Sequence, residues 1–162
     1  MDGPDVTVAF VLQWCFLQRI FDGAKTWEVR GQPCKKRGRV GLASQGQTHG
    51  TVEIVGCRRI GRRDSIHDDL RPWGDYKDFV LNNFEKKTQL LFPHDMRYLK
   101  FWAWELKNPI RYPHPRDYCH PMGAVTWVKL TDEVFAMAKP KAKPRAKPKA
   151  KAVSKRLKRP AR

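Results

Sequence analysis

The chain has 162 residues, a formal net charge of +17 and 41% hydrophobic residues. Its length suits one ordinary domain, and no apolar run approaches the ~18 residues of a membrane-spanning helix, so no membrane association is predicted. Residues 139–162 hold twelve Lys or Arg and no Asp or Glu, which leaves 21 basic and 16 acidic residues in the first 138. The folded part is therefore only mildly basic.

The first half of the chain alternates short strands with one helix. Residues 6–11 are apolar and β-branched, which predicts a buried strand, and residues 13–22 carry apolar side chains at helical spacing. Gly23 is a plausible helix C-cap. Residues 25–30 predict a second strand, and residues 31–39 a basic loop.

The second half adds further strands and one more helix. Alternating patterns predict strands over 40–42, 52–56, 99–106 and 123–130, and helical spacing predicts a helix over 75–87. We expect Asn108-Pro109 to end the third of these strands, residues 113–121 to form a loop, and a basic step to close the strand at residue 56. The members of that basic step are Arg58, Arg59, Arg62 and Arg63. The pattern indicates an α+β domain around a curled, mixed or antiparallel sheet.

The most informative segment is the turn and strand that follow the first helix. An aromatic residue near the helix start, Trp14, is followed by Gly23, Lys25, Glu28 and Arg30 in the order G-x-K-x-x-E-x-R. This segment resembles the signature of the ASCH family. Further segments match the family's later strands, so that the resemblance covers roughly residues 6–130.

The resemblance implies a PUA-like β-barrel of about five to six strands with flanking helices, and a cleft beside the Lys-Glu-Arg strand. The family is associated with RNA binding, so we expect RNA as the partner, with DNA as the alternative. The residues expected to contact nucleic acid are Lys25, Glu28, Arg30, Trp14, Trp27, Lys35, Lys36, Arg37 and Arg39. Among the other tryptophans, those at 102, 104 and 127 are expected to fill the barrel.

The chemistry of the motif residues agrees with an anionic ligand. Lys25 is a compact cation and Arg30 a planar fork suited to phosphate or a base edge. Glu28 can orient either one. In a regular strand Lys25 faces away from Glu28, and a β-bulge would bring the two together. The alternative reading is a solvated strand with weak ion pairs.

An enzyme is the second hypothesis. Some bacterial members of the family are amidohydrolases that deacylate an acetylated cytidine, with the motif lysine as catalytic residue and a threonine three residues later. Lys25 matches that lysine, but Glu28 stands in place of the threonine. If the chain is an enzyme, Lys25 is the expected base and Glu28 its partner.

The C-terminal segment predicts a disordered tail. Residues 136–162 repeat Lys-Pro and Lys-Ala steps, which cannot build a packed core, so the folded domain is expected to span 1–135. The cluster from Lys155 to Arg159 fits a nuclear-import signal. A third hypothesis is therefore a nuclear, chromatin-associated protein in which only the tail binds nucleic acid.

No metal and no cofactor is predicted. The four cysteines contain no CxxC pair, and the Cys119-His120 step has no partner at metal-ligand spacing. The apolar stretch 6–12 follows acidic residues, so we read no secretory signal and expect an intracellular protein with reduced thiols. Without repeats or heptads, a monomer is expected.

Overall fold

The computed structural model describes residues 6–72, 86–88 and 96–138. These residues form seven strands and two helices of five residues or more. In chain order they are β1 (Val8–Val11), α1 (Trp14–Phe21), β2 (Trp27–Arg30), β3 (Gly38–Ser44), β4 (Gln47–Arg62), β5 (Arg71–Pro72), β6 (Lys100–Asp117), β7 (Trp127–Lys129) and α2 (Asp132–Ala136). Residues 86–88 are also helical.

The strands form one mixed sheet in the order β2-β6-β4-β3-β1-β7, with β5 paired to β4. β1 and β3 run parallel, and the other neighbours run antiparallel. Three strands separate β6 from β7, yet the rings of Trp104 and Trp127 stack with centroids 5.4 Å apart. The sheet is therefore strongly curled, and the fold is of the expected PUA-like α+β class.

The main core lies between the concave side of the curled sheet and α1. α1 contributes Leu17 and Ile20, both fully buried and one turn apart. Phe10 of β1 lies at the centre, with its ring in edge contact with Trp104 and Trp127. The helix therefore closes one side of the barrel by burying a narrow apolar stripe.

The β3–β4 hairpin shows how local sequence sets the register. Gln45 and Gly46 both have positive φ, 51° and 75°, which is the backbone of a two-residue turn suited to strand twist. β4 therefore starts at Gln47, earlier than the pattern predicts. The Gly46 position tolerates this backbone because glycine has no Cβ.

Two strands are longer than expected. β4 runs through the basic step to Arg62, because β6 pairs with it as far as Lys100. The expectation that Asn108-Pro109 ends a strand is wrong, since β6 continues to Asp117. Of the loop expected over 113–121, only residues 118–121 lie outside the strand. Beyond Leu106, β6 pairs with β4 alone, and its prolines are absent from the paired positions.

The end of the domain contains a helix that the sequence pattern did not indicate. Thr131 caps α2 by accepting a hydrogen bond from the amide of Val134, and two acidic residues occupy its first turn. The expected boundary between residues 135 and 136 falls inside this helix. Most of the helix predicted over 75–87, and the tail from residue 139, lie outside the described residues.

Among the described residues, no helix is long and apolar enough to cross a bilayer.

Candidate functional site

The motif lysine lies in the turn between α1 and β2. Gly23, with a φ of +73°, ends the helix and donates its amide hydrogen to the carbonyl of Ile20. The amide of Lys25 then donates to the carbonyl of Arg19 at 2.9 Å. Lys25 therefore precedes β2, and this turn, not a bulge in the strand, directs its side chain toward Glu28.

Glu28 forms ion pairs with two cations at once. Its Oε2 lies 3.3 Å from Lys25 Nζ, and its Oε1 lies 2.9 Å from Arg30 Nε. The side chains of Lys25, Glu28 and Arg30 are 2%, 8% and 17% exposed. We call these three residues the buried triad. The segment that carries these residues was expected to line a cleft, and the side chains of Lys25 and Glu28 are instead buried.

The ammonium group of Lys25 makes its other contacts inside the protein as well. Its ammonium group donates to the carbonyl oxygen of Thr88 at 2.8 Å and lies 5.1 Å from the centroid of the Phe16 ring. Burial lowers the pKa of Lys25 below its usual value, and the neighbouring Glu28 carboxylate opposes that shift. The lysine is held by three different segments of the chain.

Arg30 spans the gap between strands that are not neighbours. Its guanidinium donates to the carbonyl of Val11, at the end of β1, over 2.8 Å. It also lies 6.0 Å from the ring of Trp104. The motif arginine therefore ties β2 to β1 across the barrel.

Two stacked indole rings with a cation at each end form a row from Arg30 to the loop before β3. Trp104 stacks on Trp127 with an interplanar angle of 13°, and Lys36 Nζ lies 5.3 Å from the Trp127 centroid. We call Arg30, Trp104, Trp127 and Lys36 the aromatic–basic row. The indole of Trp104 also donates to the carbonyl of Gln32, which fixes the start of the loop against the row.

No protein-family model and no curated protein sequence matches the chain. Solved structures of similar fold include ASCH from Zymomonas mobilis, which is 12% identical with a TM-score of 0.54, over 80% of this chain and 90% of that one. The chain has the ASCH fold. Two single-substitution variants of the Zymomonas protein give the same result. One is 12% identical with a TM-score of 0.55, over 80% of this chain and 91% of that chain; the other is 13% identical with a TM-score of 0.54, over 82% and 98%.

The structure separates the predicted aromatic residues. Trp14 is 37% exposed on α1, with its ring centroid 4.7 Å from that of His49. Trp27 is 3% exposed in a second core beside Ile60 and Phe101, so its ring offers no free face to a base. Strand alternation could have revealed this, because Trp27 and Glu28 are adjacent and point to opposite faces.

Trp127 is the aromatic residue that sequence reasoning missed. It was expected to fill the barrel, but it is only half-buried and lies between Lys36 and Trp104. Nothing in the local sequence shows this, because the contact joins β7 to a loop that lies about ninety residues earlier in the chain.

The predicted basic loop contributes unequally. Lys35 and Lys36 are exposed. Arg37 folds back and donates to the carbonyls of Cys34 and Lys36 at 2.9 and 2.7 Å. Arg39 lies in β3, where it forms an ion pair with Glu53. Only Lys36 of this set is brought into contact with the row.

The arginines of the second basic segment mostly make contacts within the folded domain. Arg58 forms an ion pair with Glu105. Arg63 is buried, donates to the carbonyls of Tyr98 and Met96, and lies over the Phe101 ring. These arginines hold β4 against its neighbours. Within the described ranges, no group of three or more His, Cys, Asp or Glu residues is arranged to hold a metal ion.

Proposed function

We propose that this ASCH domain binds single-stranded nucleic acid, with RNA as the expected ligand, along the aromatic–basic row. The observation that carries the proposal is the stack of two indole rings, Trp104 and Trp127, with a cation at each end, Arg30 and Lys36. Single-stranded nucleic acids present flat bases and phosphates in alternation, and proteins bind them with stacking rings beside positive charge.

Trp127 and Lys36 are the contacts we assign to the strand. The half-buried indole of Trp127 can stack a base, a contact worth ~1–3 kcal/mol. Lys36 can leave its cation–π contact for a phosphate, because its side chain is exposed and a single ammonium–ring contact at such a site is worth ~0.5–1 kcal/mol. Exposed Lys35 adds a second phosphate partner.

The buried triad positions this surface. Glu28 neutralises Arg30 from one side while Val11 accepts its hydrogen bond from the other, so the guanidinium is held under Trp104. Lys25 already donates to the carbonyl of Thr88 and forms an ion pair with Glu28. We therefore assign Lys25 and Glu28 to positioning, and Arg30 to the inner end of the binding row.

The C-terminal segment adds sequence-independent attraction. Twelve cations without a single carboxylate will release counterions from any phosphate backbone they meet. We propose that this segment raises affinity for RNA and DNA alike, and that its cluster from Lys155 to Arg159 directs the protein, acting as a monomer, to the nucleus.

A salt titration with a short single-stranded RNA tests the proposal. The full chain and residues 1–138 are compared by fluorescence anisotropy from low to physiological salt. The proposal predicts that residues 1–138 retain measurable affinity, with a shallower dependence on salt than the full chain. If residues 1–138 bind nothing and a peptide of residues 139–162 reproduces all binding, only the tail acts and the proposal fails.

One observation supports an amidohydrolase as second candidate. Lys25 combines a lowered pKa with a carboxylate 3.3 Å away, which is an arrangement suited to a general base. Hydrolysis of acetylcytidine would add water across the amide and release cytidine and acetate. Release of both products, lost in Lys25→Ala, would support this candidate, and no turnover at high protein concentration would remove it.

A further inference from the structure

β6 leaves its register with β4 at a proline-containing segment. Residues 112–115 of β6 lie opposite a single β4 residue, His49, between two paired positions. Pro113 and Pro115 lack amide hydrogens, so a regular ladder cannot form there. Bulges of this kind re-aim side chains and are frequent beside functional sites.

The bulge forms one wall of a small concavity. The first and last turns of α1 form the opposite wall with Trp14 and Phe21, and the volume is about 170 Å³. His49 lines it from β4, with its Nε2 hydrogen-bonded to the carbonyl of Ser44 at 3.2 Å. We call this space the bulge concavity.

The bulge concavity combines an exposed flat ring with a partly free cation. Trp14 is 37% exposed and is supported from one side by the His49 ring at 4.7 Å. Arg111 lies over the Phe21 ring at 4.7 Å, and its only ion-pair contact described is with Asp22 at 3.8 Å. Its side chain is 49% exposed. The guanidinium can therefore accept an anion without losing a close ion pair.

We propose that the bulge concavity binds one nucleotide, with the base against Trp14 and the phosphate on Arg111. A flat aromatic group and an anion within one small molecule satisfy both features. The chain's own Lys- and Pro-rich tail would place positive charge against Arg111, and a purely apolar ligand would leave the guanidinium unused.

This subsite rests on the proposed nucleic-acid binding for its biological use, because a nucleotide is the repeating unit of that ligand. It is nevertheless a separate site. Trp14 and Arg111 lie on α1 and on the distal part of β6, and neither belongs to the row. The two can therefore be tested independently.

Indole resonances of the ¹⁵N-labelled full chain report the binding. Adenosine monophosphate is titrated at physiological salt, and Trp14→Phe identifies the Trp14 signal among the six tryptophans. We expect a saturable shift of that signal, with a dissociation constant on the order of 1 mM. Adenosine without phosphate, and Arg111→Ala with the monophosphate, should each bind about tenfold more weakly. Arg116→Ala, a matched change at the other end of the bulge, should bind as the wild type does.

Three results would overturn the subsite. In the first, the Trp14 signal stays fixed up to tens of millimolar of the monophosphate. In the second, adenosine binds the wild type, and the monophosphate binds Arg111→Ala, as tightly as the monophosphate binds the wild type, which indicates a generic apolar contact. In the third, a peptide of residues 139–162 shifts the Trp14 signal and displaces the monophosphate, which indicates a peptide groove.

If the monophosphate binds at Trp14 while single-stranded RNA fails to bind residues 1–138, the subsite stands and the proposed function falls. If RNA binds along the row and the monophosphate does not bind, only this inference falls.

Discussion

The charged side chains of the buried triad are paired inside the protein, whereas the arginine of the bulge concavity remains exposed to solvent. In the triad, a single carboxylate neutralises two cations whose side chains are 2% and 17% exposed, and carbonyls of distant segments take the remaining donors. In the concavity, an arginine that is 49% exposed rests on a ring with a distant carboxylate as its ion-pair contact. The comparison teaches that the charges of the triad hold segments of this fold together, while the irregular part of β6 leaves the charge of Arg111 available to a ligand.

The largest expected effect that tests this comparison comes from removing the Glu28 carboxylate. Glu28→Gln leaves Lys25 and Arg30 buried without their counter-ion, and we expect a loss of about 3–5 kcal/mol in the free energy of unfolding. Urea denaturation measures it. Glu53→Gln is the matched control, because Glu53 pairs with Arg39 at 31% exposure and should cost less than about 1 kcal/mol. Equal effects at the two sites would contradict the structural role of the triad.

The two arginines give the next contrast. Arg30→Met removes the hydrogen bond to Val11 that joins β2 to β1, and it leaves Glu28 with one cation. We expect a loss of about 2–3 kcal/mol. Arg111→Met removes a cation that is half exposed and should change unfolding by no more than about 0.5 kcal/mol. Thermal and urea unfolding of the two variants measure the difference. A larger loss in the free energy of unfolding for Arg111→Met than for Arg30→Met would contradict the comparison.

The smallest effect concerns pH. Burial lowers the pKa of Lys25 in the folded chain, so between that pKa and 10.5 the unfolded chain binds more protons. The free energy of unfolding should therefore rise with pH relative to Lys25→Met, by no more than about 1.4 kcal/mol per pH unit. Taking the difference between the two proteins removes the contributions of Cys34 and Cys57, whose raised pKa values act in the opposite direction above pH 9.0. A difference that is flat or falls as the pH rises toward 10.5 would contradict the burial of a charged Lys25.

Local patterns predicted the first part of the fold well. β1, α1 and β2 follow from β-branched runs, helical spacing and the helix-ending Gly23, all of which are set by near neighbours in sequence. The motif also identified Lys25, Glu28 and Arg30 as a group. Their burial could not be predicted, because it depends on Thr88 and Val11, which lie 63 and 19 residues away from their partners in the sequence.

The prolines of β6 led to a prediction that ended this strand too early. In sequence, Pro109, Pro113 and Pro115 indicate breaks and a loop, because proline cannot complete a ladder. The strand tolerates them because it has lost its β2 partner beyond Leu106 and bulges opposite His49. The same tertiary arrangement creates the bulge concavity, so no pattern within the segment could have indicated it.

The affinity of residues 1–138 for a short single-stranded RNA, measured from low to physiological salt beside Lys36→Ala and Lys107→Ala, tests the central claim most directly. Both lysines are exposed, and only Lys36 contacts the aromatic–basic row. We predict that Lys36→Ala weakens binding about three- to tenfold and reduces the salt slope by about 0.7, while Lys107→Ala binds as the wild type does. Equal affinities for all three proteins would contradict binding along the row.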